Sequence, residues 1–175
     1  MNYKFIKLSN LPKEIKNRNI KILIITSKFH KNKKYLLGII NEFKKTKIVN
    51  CYGNASAGAP IKDINYILKK FHKPDLIIGI GGGSVMDIAK ACSCLFNKTN
   101  KTKIENVDIK KKIRTILVPT ILGSGAENSR GAILKYKNDK KIAIRHDLIK
   151  ADYVYVDLNL TKSAKNKIKC EALYD

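Results

Sequence analysis

The residues best suited to chemistry lie in one run, Gly79-Ile-Gly81-Gly82-Gly83-Ser84-Val-Met-Asp87, directly after the apolar stretch Leu76-Ile-Ile-Gly-Ile80. Glycines between a strand and a helix let backbone N–H groups approach a diphosphate, and the first turn of the helix offers its positive end to the anion. Ser84 with Asp87 three residues on also fits a capping box, serine closing the helix and aspartate reaching back. On spacing alone, a phosphate cradle and a plain tight turn with a cap both stand.

The elements that would position this turn follow from periodicity. Residues 21–26 (Lys-Ile-Leu-Ile-Ile-Thr) form a β-branched run without polar alternation, the pattern of a strand buried on both faces of a parallel sheet. Residues 34–43 place Leu36, Leu37, Ile40 and Phe43 at helical spacing, and 47–49 return to strand, giving a βαβ unit. A second helix carries Ile61, Ile64, Ile67, Leu68 and Phe71 and ends before Pro74. Residues 76–80 are a strand feeding the glycine turn, and 85–96 a helix. Further strands are expected at 115–118, 131–136, 141–144 and 153–157. Strands alternating with helices predict an α/β fold, a Rossmann-like doubly wound parallel sheet with flanking helices, formed as one domain over residues 1–175.

Composition narrows the function classes. The chain has 36 Lys+Arg against 14 Asp+Glu, a formal charge of +22, which raises nucleic acid as a partner. Only Arg18, Arg114, Arg130 and Arg145 are arginines, whereas arginine is the side chain suited to bidentate phosphate and base recognition, so nucleic-acid binding is the weakest reading. The densest lysine cluster, 98–112, is interspersed with asparagines and reads as a solvated loop. The longest apolar runs fall far short of the roughly 20 residues that cross a bilayer. The first ten residues lack an apolar stretch before a small-residue cleavage site, so the expected compartment is the cytoplasm. Cys51, Cys92, Cys94 and Cys170 have neither C-x-x-C spacing nor a nearby histidine pair and read as reduced thiols.

A longer comparison resolves the glycine turn. Gly81-Gly-Gly-Ser-Val-Met-Asp-Ile-Ala-Lys90 resembles the GGGSxxDxAK signature of the iron-containing alcohol dehydrogenases. Val118-Pro-Thr-Ile-Leu-Gly-Ser-Gly-Ala-Glu127 is similar to that family's PTTxGTGSE segment, and Tyr153-Val-Tyr-Val-Asp157-Leu-Asn-Leu-Thr161 to its strand ending in D-P-x-L-T. The dehydroquinate synthases share the fold and a GGG turn, but Ser84 and Ala89-Lys90 fit the alcohol dehydrogenases better. The resemblance implies a dehydroquinate synthase-like nucleotide-binding domain and interconversion of a small alcohol with an aldehyde or ketone by the whole enzyme. It implies that Gly82, Gly83 and Ser84 hold the cofactor pyrophosphate, with Asp87 nearby and Thr120 and Ile121 along the dinucleotide. Ser129, Ile133 and Lys141 fall at further cofactor contacts. Ile121 stands for a second threonine and Ala126 for a serine, so two hydroxyls are missing. Ser27 stands where NAD-preferring members carry an aspartate; with Lys28 beside it, NADP is expected to bind at least as well as NAD.

The same resemblance implies iron or zinc, held by one aspartate and three histidines in a complete two-domain enzyme. Counting on from Asp157, the first metal ligand aligns with Asp175; a frame with a deletion makes it Glu171. His30, His72 and His146 match none of the metal histidines and read as surface residues. The chain is therefore expected to lack the helical metal-binding domain and to be inactive alone. A truncated, non-catalytic dinucleotide-binding remnant is the second reading, and whether copies form a homo-oligomer stays open.

Overall fold

The computed structural model describes residues 2–17, 19–96, 109–136, 138 and 140–162. The expected solvated loop at 98–112 lies mostly outside them, as do Cys170, Glu171 and Asp175. The elements are β1 (Asn2–Phe5), a 3-10 turn (Leu8–Asn10), α1 (Leu11–Glu14), β2 (Lys21–Ser27), α2 (Lys28–Lys31), α3 (Lys34–Lys44), β3 (Ile48–Ala55) and α4 (Ile61–Lys70). There follow β4 (Leu76–Gly81), α5 (Gly83–Leu95), β5 (Arg114–Pro119), β6 (Gly131–Lys135), β7 (Lys141–Arg145), a 3-10 turn (Asp147–Ile149), β8 (Tyr153–Val156) and α6 (Leu158–Lys162).

Six strands form a parallel sheet in the order β1-β8-β5-β4-β2-β3. Its central strands β2, β4 and β5 are apolar through their middles, on both faces, because both faces are covered. Leu23, Ile25, Ile77, Leu117 and Val154 point to the face packed by α4 and α5. Ile22, Ile24, Ile78, Ile116 and Tyr155 point to the face packed by α1 and α3. Leu36, Ile39 and Phe43, the buried stripe of α3, belong to this second layer. No helix among the described residues is long and apolar enough to cross a membrane.

Two expectations are corrected. The strands at 131–135 and 141–145 do not join the parallel sheet; they pair antiparallel as a separate hairpin whose Ala132, Leu134 and Ile144 pack into the α4–α5 layer. The link 136–140 is too short for a parallel crossover, which needs a dozen residues or more. Strand β1, absent from the sequence reading, pairs parallel with β8 along the edge. All four of its residues are exposed, so no apolar run marks it.

Candidate functional site

The chain leaves β2 for its neighbour β3 through α3 on one face, then returns through α4 on the other face to β4 and proceeds outward to β5 through α5. The direction of winding reverses between β2 and β4. Open α/β sheets bind ligands at such a point, outside the carboxyl ends of the strands. A cavity of about 420 Å3 opens there, walled by Ser27 after β2, Ser56 after β3, Gly82–Ser84 after β4 and Thr120–Ile121 after β5. Beneath it, the buried hydroxyl of Thr26 donates to the Ile80 carbonyl oxygen at 2.7 Å, tying the two strand ends at the reversal.

The glycines have separate jobs. A Cβ on Gly79 would lie 2.9 Å from Ala89 Cβ, and one on Gly81 would lie 2.5 Å from Val85 Cγ2, so these two let α5 lie close against β4. Gly82 and Gly83 face the cavity, their nearest neighbours across it being Ile121 Cδ1 and Ser124 Oγ. Helix α5 starts at Gly83 with Gly82 as its N-cap; the Val85 and Met86 N–H groups bond the Gly82 carbonyl, while the Gly83 and Ser84 N–H groups at the helix start point out of it. This overturns the capping box. Gly82 has no side chain to cap with, Ser84 already lies within the helix, and its Oγ accepts the Gly58 N–H at 2.9 Å.

Asp87 is turned away from the helix start. Its Oδ2 accepts the Ile133 N–H at 3.1 Å and its Oδ1 lies 3.0 Å from Lys90 Nζ. Lys90 is fully buried and also donates to the Ala126 carbonyl at 2.7 Å, to Ser129 Oγ at 2.8 Å and to the Gly131 carbonyl. Burial raises the Asp87 carboxyl and lowers the Lys90 ammonium, each partly opposed by the other's charge. The glycine-turn motif and the segment after β5 thus meet on one lysine. That segment also needs Gly125, whose φ of +64° lies in the left-handed region.

The sequence matches the profile of the iron-containing alcohol dehydrogenases over residues 3–158. This chain belongs to the iron-containing alcohol dehydrogenase family. It is 34% identical over 106 residues to long-chain-alcohol dehydrogenase 1 of Geobacillus thermodenitrificans, covering 55% of this chain and 26% of that protein. To an alcohol dehydrogenase of Thermococcus barophilus it is 27% identical over 174 residues, covering 89% and 44%. The fold is similar to sulfoacetaldehyde reductase from Bifidobacterium kashiwanohense, solved in complex with NAD+, with a TM-score of 0.83, 22% identity and coverage of 98% and 48%. The chain therefore spans less than half the length of these relatives.

In this iron-containing alcohol dehydrogenase chain, Ser27, Gly82, Gly83, Ser84, Thr120 and Ile121 share one cavity. Asp87, Ser129 and Ile133 gather instead around Lys90, with Ser129 and Ile133 also lining a separate open depression beside Arg145 and His146. Lys141 is exposed at the far end of the hairpin, paired with Lys135, and lines neither. Ala126 contributes its backbone, since its carbonyl takes Lys90. Ile121 fills the space against Gly82.

His30 corrects the surface assignment: it is half-buried, lines the cavity beside Ser27 and shares a hydrogen bond between its Nδ1 and the Tyr35 hydroxyl. Phe29 lines the same wall. No run of residue types marks either position, although both directly follow the end of a strand that feeds the site. Among the described residues, no three metal-ligating side chains converge, so these residues do not fit a catalytic metal. A dinucleotide does fit. Besides the two cavity-facing glycines, the Thr120 hydroxyl is buried in the cavity wall with no hydrogen-bond partner among the described residues, which leaves it available to a ligand.

Proposed function

We propose that this chain is the dinucleotide-binding half of an NAD(P)-dependent oxidoreductase that interconverts an alcohol with an aldehyde or ketone. The observation that carries the reading is the cavity at the winding reversal, where the open N-terminus of α5 meets cavity-facing Gly82 and Gly83. The Gly83 and Ser84 N–H groups hold the pyrophosphate, the Ser84 hydroxyl donates to it, and Thr120 and Ile121 lie along the molecule. When bound, the nicotinamide supplies the hydride acceptor or donor. The chain's own residues bind it, orient it and neutralise its charge. Ser27 with Lys28, in place of a carboxylate, accommodates a 2′-phosphate, so NADP(H) binds at least as well as NAD(H). Asp87, Ser129 and Ile133 support the site from beneath through Lys90.

A second reading, a dinucleotide-binding module without turnover, shares the same cavity and glycine turn. Asp175, the proposed first metal ligand, lies outside the described residues. Calorimetric titration of the chain with NADH and NADPH tests the shared core of both readings. Gly83→Asp places a carboxylate at the helix terminus and is expected to weaken both ligands by at least about tenfold. Equal affinity for wild type and variant removes the glycine turn as the site. Turnover of short alcohols with added iron(II) or zinc would decide for the enzyme over the module.

A further inference from the structure

The wall of the cavity on the β2 side has a charge pattern that the pyrophosphate does not use. From Ser27 to Lys34 the sequence is Ser-Lys-Phe-His-Lys-Asn-Lys-Lys, without one carboxylate. Within it, only His30 has an ionisation near neutral pH. His30 borders two cavities at once, the one with Ser27 and Gly82–Ser84 and a neighbouring one of about 450 Å3 with Tyr35 and Asp157. The Tyr35 hydroxyl occupies Nδ1, which leaves Nε2 as the nitrogen open to a ligand.

We propose that His30 is a further specificity-determining residue for the adenosine end of the dinucleotide, taking up a proton to bind a 2′-phosphate beside Ser27 and Lys28. This rests on the dinucleotide reading above and adds the group that reads the extra phosphate and the proton linked to it.

The surroundings of His30 set the sign. Lys33 and Tyr35 face it from the head of α3, and burial followed by the Lys33 charge holds the imidazole below its ordinary value, so it is neutral in the free chain near pH 7. Burial also pushes the Tyr35 phenol up to about 12, so that partner stays uncharged. Lys28 and Lys31 flank His30 on α2; Lys31 Nζ reaches Asn54 Oδ1 at 3.4 Å, and Lys33 lies over the Phe29 ring at 4.6 Å. Asp157 lines the second cavity, but its carboxylate already accepts the N–H groups of Leu8, Asn159 and Leu160 and is the one acid in that lining. The start of α5 adds a partial positive charge across the first cavity. A neutral ring among these cations gains a proton when a phosphate dianion arrives; the imidazolium then donates from Nε2 to the phosphate and from Nδ1 to the Tyr35 oxygen.

The experiment is calorimetric titration of the 175-residue chain with NADPH and NADH at pH 7.0 to 7.5, in buffers of differing ionisation enthalpy, to count protons. Wild type is expected to take up a fraction of a proton with NADPH and none with NADH. The phosphate's own ionisation, near about pH 6, releases a proton on meeting cations and so has the opposite sign. His30→Gln is expected to abolish the uptake and lower the NADPH-to-NADH affinity ratio about tenfold, the scale of one hydrogen bond between charged groups. Tyr35→Phe, which keeps the imidazole but frees Nδ1, is expected to lower the ratio by less, and urea unfolding checks that both variants fold. Proton counts and affinity ratios equal in wild type and His30→Gln overturn the proposal. Binding of neither nucleotide overturns the dinucleotide reading itself, whereas binding of both without proton uptake overturns only the role of His30.

Discussion

Lys90 Nζ lies 2.7 Å from the carbonyl oxygen of Ala126, joining the middle of α5 to the segment that follows β5. A fully buried ammonium with one carboxylate and three uncharged oxygens around it is compensated on every side. Its removal acts on both motifs at once.

Lys90→Met is expected to cost about 3–5 kcal/mol, since the Asp87 carboxylate and the oxygens of Ala126, Ser129 and Gly131 lose their common donor. The urea midpoint measures it. The double variant Lys90→Met, Asp87→Asn is expected to recover part of the loss, because the unpaired charge is gone; a double variant less stable than the single one would show that the carboxylate has another role.

The glycines are expected to separate by position. Gly81→Ala drives a methyl into Val85 and should destabilise the fold by about 1–3 kcal/mol. Gly82→Ala meets only the far end of Ile121, at 3.3 Å, and should change stability by less than about 1 kcal/mol. Thermal unfolding of the two variants side by side checks the order.

The fold was legible where burial is two-sided. Strands β2, β4 and β5 lie between helix layers, so their sequences are continuous apolar runs; β1 lies at an edge with its residues exposed and has no such signature. The hairpin strands were visible as strands, but their partner was not, because alternation records which face is buried and not which strand is adjacent. At the site, the glycine turn announces itself through residue types, although spacing alone leaves a phosphate cradle and a plain tight turn both open. His30 does not announce itself, since its place in the cavity arises from a neighbouring strand end and from Tyr35, neither of which leaves a spacing. Lys90 enters the sequence reading only through the family signature, although its setting carries a signal: a lysine in a helix whose other residues from Val85 to Leu95 are almost all apolar and buried must carry its own partners inside.

Thr120→Val tests the unpartnered hydroxyl. In the free chain the substitution is expected to be neutral or stabilising by up to about 1 kcal/mol, since it removes a buried group with no partner. Dinucleotide affinity is expected to fall severalfold. Unfolding curves with and without NADH measure both, and a loss of stability without ligand would show that the hydroxyl is already satisfied.

Acidification is expected to expose His30. Its imidazole titrates below the ordinary value of 6.5 in the folded chain, because of burial and then Lys33, so the unfolded chain binds the proton first as pH falls. This histidine's contribution is present above pH 6.5 and is lost as pH drops through the folded value. Urea midpoints at pH 7 and pH 5 should differ by less in His30→Gln than in wild type; an equal difference would place the acid sensitivity elsewhere.

Ser84 Oγ accepts the Gly58 N–H, while the Gly58 and Ala59 carbonyls receive the Lys135 N–H from the end of the hairpin. The serine hydrogen remains free to donate, and a hydroxyl that donates to an anion becomes a better acceptor. A nucleotide seated at the glycine turn is therefore expected to tighten the bond that holds the Gly58 loop to the head of α5. In amide exchange, Gly58 would slow when the nucleotide arrives. That single proton would then act as a built-in gauge of an empty or filled crevice, readable without any catalytic turnover.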